Sequence, residues 1–145
     1  MPRTSSNGIN EQDSPNNHGT WYDVQLASLA LFAGAPDTAK RILQDAKNLR
    51  IAAQIEPDGR MPKELELTRG MGYNSFNLLA MTTLATIGEN VGVDLWHYET
   101  ADGRSIRKAI DWMVPAVGSR PRAAQAGGAA AIVRVPGLAG CVISD

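Results

Sequence analysis

Cysteine is almost missing from this chain. Cys141 stands alone, so no internal disulfide can form and paired-cysteine metal motifs are excluded. No apolar run approaches the roughly 20 residues that a membrane-spanning helix needs. Neither sign of charge dominates: 14 Lys and Arg face 15 Asp and Glu, for a net charge of −1. That balance gives no general attraction to nucleic acid or to a membrane surface. The opening stretch, Met1 to Pro15, is polar and has no apolar signal core. What is present is an ordinary globular mixture, 43% hydrophobic and 20% charged, over 145 residues, a length that suits one small domain.

Residues 1–19 are rich in Ser, Asn, Gly and Pro and read as a loop. From Thr20 to Ala33 apolar residues occupy every helical face, the pattern of a helix buried on most sides. Gly34 ends it and Pro36 suits the first turn of the next helix. In that second helix, 36–54, Ala39, Ile42, Leu43, Ala46, Leu49 and Ala53 form one stripe, with Lys40, Arg41, Asp45, Lys47 and Asn48 opposite. Residues 56–65 read as a turn-rich loop. A third helix, 66–89, is again apolar nearly all round, and a fourth, 104–115, is amphipathic through Ile106, Ala109, Ile110 and Met113. The order buried, amphipathic, buried, amphipathic predicts an all-α fold: two α-hairpins of an (α/α) toroid, with inner helices covered by outer ones. A plain four-helix bundle would show four similar stripes instead.

The stretch 119–145 is of another kind. Its seven alanines, four glycines, two prolines and three arginines follow no helical or strand period. It reads as a flexible terminus or as sequence foreign to the helical domain. The expected division is a helical domain over 1–118 and a disordered, low-complexity tail over 119–145.

Two clusters carry candidate chemistry. Asn16-Asn17-His18-Gly19-Thr20-Trp21-Tyr22 precedes the first apolar helix, and Arg69-Gly70-Met71-Gly72-Tyr73-Asn74-Ser75-Phe76-Asn77 opens the third. Arg69 and Tyr73, four residues apart, share a helical face. Plainer roles exist for each: an Asn can cap a helix, and an Arg near a helix start is ordinarily a solvated charge. Gly70 and Gly72, however, cost roughly 1 kcal/mol each relative to Ala inside a helix, which points to close approach by a ligand or a backbone. As a set, these side chains suit β-elimination on a uronate. Asn amides, Arg or a protonated His neutralise the carboxylate beside the abstracted proton, and a Tyr near a cation serves as base and then acid.

The spacing NNHG, then Met61-Pro62-Lys63-Glu64-Leu65, Arg69, Tyr73 and Phe76-Asn77-Leu78 resembles the alginate lyase family over about residues 7 to 117. The resemblance implies an (α/α) toroid that depolymerises alginate or a related polyuronate without metal or cofactor. It assigns catalysis to Asn17, His18, Arg69 and Tyr73, and substrate contacts to Asn16, Trp21, Tyr22 and Asn77. In the better-known bacterial members the tyrosine falls three places later, at Phe76, which cannot move a proton; this leaves alginate, glucuronan and other polyuronates open. Family domains are longer than this chain, so the chain is expected to be a fragment of one, weak or inactive by itself, and members are usually exported to the periplasm or beyond. The expected partner is an anionic polysaccharide, with neither nucleic acid nor membrane; the oligomeric state is left open. Two other readings compete: a non-catalytic helical carbohydrate-binding or interaction module, and a glycoside hydrolase using two of Asp23, Glu64 and Glu66.

Overall fold

The computed structural model describes residues 11–118, with side chains to residue 114; the expected tail, 119–145, lies outside them. Among the described residues every regular element is helical. Helix α1 spans Asn17–Phe32, α2 Pro36–Ala46, the short α3 Pro62–Leu65, α4 Gly70–Glu89 and α5 Ile106–Gly118. Asn16 caps α1, its side chain accepting from the His18 N–H at 3.2 Å. At the other end Ala35 donates to Ala30 O and Gly34, with φ +69°, donates to Leu31 O. This left-handed cap satisfies two of the last carbonyls and turns the chain sharply into Pro36 at the head of α2.

The second predicted helix continues beyond α2, but by a different winding. Lys47–Ala52 is π-helical. A wider turn holds an additional residue, so the buried face advances by one position. The expected continuation of the stripe through Leu49 and Ala53 is therefore corrected: both are exposed, and Arg50, Ile51, Gln54 and Ile55 turn inward. The loop read over 56–65 likewise contains α3, whose first residue is Pro62.

α1 lies against both α2 and α4, and α4 in turn against α5. The core runs between them, from Val24 and Ala27 through Leu43, Ala46, Ile51 and Ile55 to Met81, Leu84, Leu95 and Ile106. α2 and α5 are amphipathic as expected. The expectation that α1 and α4 are the more buried pair is not met. Leu29, Phe32, Met71, Phe76 and Leu79 on these two helices face solvent, because the described residues cover only one side of each. An apolar face therefore lies open on both helices.

Candidate active site

The first turns of α1 build one wall of a groove of about 450 Å³, lined by Asn17, His18, Trp21, Tyr22 and Gln25, with Glu11 and with Phe76 from α4. Residues 17, 21 and 25, and likewise 18 and 22, recur at four-residue spacing, so a single face of α1 supplies the wall. Trp21 and Phe76 join the two helices there, their ring centroids 5.0 Å apart. Four of the expected site residues, Asn17, His18, Trp21 and Tyr22, thus come together.

His18 is exposed and its Nδ1 lies 3.0 Å from Glu11 Oε2. A carboxylate only accepts, so Nδ1 carries the proton and Nε2 is left to face a ligand. Asn17 is 4% exposed. Its backbone N–H donates to Glu64 Oε1 at 2.5 Å and its Nδ2 to Glu64 Oε2 at 2.8 Å. Gly19 is required beside them: a Cβ there would collide with the Ser14 carbonyl oxygen and the Arg50 guanidinium. Behind α1, Arg50 Nε pairs with Asp23 Oδ2 at 2.7 Å, and its other nitrogens donate to Ser14 O and Gln12 O. The inward turn of Arg50 thereby fixes the segment that leads into the asparagine–histidine motif.

The remaining expected residues sit elsewhere. Asn16 is engaged as the α1 cap, accepting from Ser14 Oγ as well as from the His18 N–H. Asn77 is 1% exposed and donates to Gln54 Oε1 at 2.7 Å, so it is a core residue behind the groove. Thr20 donates to the same Gln54 oxygen. Arg69 and Tyr73 are exposed at the start of α4, outside the groove lining. Among the described residues the Tyr73 hydroxyl bonds to neither Arg69 nor His18. Tyr73 nonetheless lies one turn before Phe76, on the same side of α4.

Sequence reasoning passed over Glu64 except as a hydrolase candidate, and over Asn74 and Gln54. The only sequence signal for Glu64 is its place in the MPKEL segment; burial of a carboxylate is not visible in a periodic pattern. Asn74 is fully buried, with no partner for either amide atom among the described residues, and the Tyr22 hydroxyl and Trp21 Nε1 are unpartnered in the same way. The three carboxylates of the hydrolase reading are engaged separately: Asp23 with Arg50, Glu64 with Asn17, and Glu66 with Lys63 at 3.6 Å. None of the three lines the groove, where that chemistry would need a facing pair. Among the described residues no cluster of His, Cys, Asp and Glu suited to a metal is found, and no helix is long and apolar enough to cross a membrane.

Comparison with known proteins agrees with this architecture. The family model for alginate lyase matches residues 2–124. The crystal structure of an alginate lyase from Bacteroides ovatus superposes with a TM-score of 0.79 at 41% identity, over 81% of this chain and 31% of that one. This chain therefore spans about a third of the length of that relative. No curated protein matches it significantly. The expected part of an (α/α) toroid is borne out, and the chain belongs to the alginate lyase family.

Proposed function

We propose that this chain carries the active-site segment of a polysaccharide lyase that cleaves alginate or a related polyuronate by β-elimination. The observation that carries the reading is the groove at the head of α1. There a buried, doubly anchored Asn17 stands next to a His18 whose Nδ1 is held by Glu11. Elimination removes the proton beside the uronate carboxylate, and the resulting dianion needs its charge neutralised by preorganised donors. Asn17 supplies an amide donor in the groove, and His18 supplies one at Nε2 in its protonated form. Arg69 and Tyr73, exposed at the start of α4, supply a cation and a phenol; Tyr73 as its phenolate takes the proton and then returns it to the leaving oxygen. That role requires the hydroxyl to reach the sugar from outside the groove lining. Trp21 and Phe76 offer ring surface to the sugar. The reading includes export to the periplasm or outside the cell, where such polymers occur.

The test, made in a chain of its relatives' length, is the rise in ultraviolet absorbance from the unsaturated uronate product, on alginate and on glucuronan. Tyr73→Phe is expected to abolish turnover while leaving binding nearly intact, because only the proton relay is lost. Full activity in that variant would show that another group is the base. The position of Tyr73 outside the groove lining favours one alternative, a carbohydrate-binding module. That alternative predicts saturable binding of the polymer with no unsaturated product at any enzyme concentration.

A further inference from the structure

Glu64 is a carboxylate with no exposure to solvent, and among the described residues no cation pairs with it. An ionised group in such a place is costly unless its oxygens are fully used. Both are: one accepts the backbone N–H of Asn17 and the other its side-chain amide. Asn17 is the first residue of α1, and α1 has no acidic residue in its own first turn. Glu64, 47 residues away in sequence, supplies the negative charge that the helix dipole favours at that end.

The amide of Asn17 consequently has a single orientation. A carboxylate cannot donate, so Nδ2 must face Glu64; the flipped amide would set oxygen against oxygen. One amide hydrogen is committed to Glu64, and the second hydrogen and Oδ1 are the atoms left for a ligand in the groove. We propose that Glu64 is the positioning residue of the site: it locks the Asn17 amide in the orientation that meets the substrate, and acts on turnover only through Asn17. The inference rests on the lyase reading for its kinetic consequence, but the locked amide can be observed without turnover.

Glu64→Gln separates the two contacts. Glutamine matches the shape and its Oε1 still accepts the Asn17 backbone N–H, but its Nε2 cannot accept. The Asn17 amide is then driven to turn over and present Oδ1 to that Nε2. The expected result is a fall in kcat of about ten- to a hundredfold, the worth of a hydrogen bond to a charged group, with KM nearly unchanged and the helical circular dichroism retained. Glu64→Asp, which keeps the charge but withdraws it from the side-chain amide, is expected to lie between. The decisive comparison is the double variant. With Asn17→Ala already in place, Glu64→Gln should slow turnover no further, whereas an effect on folding alone would add to it.

Side-chain amide resonances of Asn17 in the ¹⁵N-labelled protein provide the second readout. In the unchanged protein the two amide protons should be widely split, one of them bound to a carboxylate, and the split should collapse in Glu64→Gln. Full kcat in that variant, an additive loss on top of Asn17→Ala, or an unmoved Asn17 resonance would each overturn the inference. Should the unchanged protein cleave neither alginate nor glucuronan, the lyase reading fails. The inference then stands or falls on whether an alginate oligosaccharide shifts the Asn17 amide resonances in the unchanged protein and no longer does so in Glu64→Gln.

Discussion

Gly70 and Gly72 stand two positions apart on α4, and the space around them sorts the two. A Cβ at Gly70 would lie 2.8 Å from the Leu65 carbonyl oxygen, where α3 passes the start of α4. At Gly72 the nearest atom is the Arg69 Cβ, 3.9 Å away, and the residue is exposed. Gly70→Ala is therefore expected to lower stability by about 1–3 kcal/mol through overpacking. Gly72→Ala should raise it by about 0.5–1 kcal/mol through backbone entropy. Urea denaturation of the two variants checks both signs. From sequence the pair looked equivalent, each a glycine inside an apolar helix; only the chain path of residues 62–65 distinguishes them. The asparagine–histidine motif was legible because its residues are contiguous and one helix face carries them. The partnership of Asn17 with Glu64 was not, since it joins residues 47 apart through an unpredicted four-residue helix.

Between elements, the π-helical turn has the widest consequences. Helix limits could be read to within a few residues from Gly34, Pro36 and the 3.6-residue period, which continue to work as far as Ala46. Past that point the period itself changes, so the pattern misassigned Leu49 and Ala53 by one place. The Arg50 that results is buried, paired with Asp23 and bonded to the carbonyls of Gln12 and Ser14. Arg50→Met would leave the buried Asp23 carboxylate without the guanidinium, at an expected cost of about 3–5 kcal/mol in urea denaturation. Faster amide hydrogen exchange at Asn17–Gly19 should accompany it, because the strand of chain before α1 loses its anchor; unchanged exchange there would detach Arg50 from the site.

The connecting loops carry their own signature. Asp58 is held below the usual carboxylate range by the Arg60 backbone N–H, Asp94 by the His97 N–H, and Asp102 by the Thr100 hydroxyl and then by Arg104. A carboxylate with a lowered folded-state pKa contributes stability above its unfolded-state value, and the contribution is lost as pH falls through the folded-state value. All three are solvent-exposed, so each contribution is small. The expected outcome is a shallow loss of thermal stability below about pH 4, made shallower still in the double variant Asp94→Asn, Asp102→Asn.

On the scale of the whole molecule, the outstanding property is apolar surface that the described residues leave uncovered. Phe32 is 91% exposed at the end of α1, Leu29 57% one turn before it, and Leu79 55% on α4. The alternation of helix types made the toroid legible, because a helix apolar on all faces has to be enclosed. It did not make the extent of enclosure legible, since the pattern is the same whether or not the covering helices are part of the chain. This chain spans 31% of its Bacteroides ovatus relative, and within its described residues α1 and α4 are covered on one side. Large uncovered apolar patches drive association. The chain is accordingly expected to self-associate as its concentration rises, in light scattering coupled to size exclusion. Phe32→Gln together with Leu79→Gln should suppress the association while changing stability by less than about 1 kcal/mol, as substitutions at exposed positions do. A cooperative loss of fold in that double variant would mean that the two side chains are packed, and a monodisperse monomer of the unchanged chain at high concentration would mean that its apolar face is already covered.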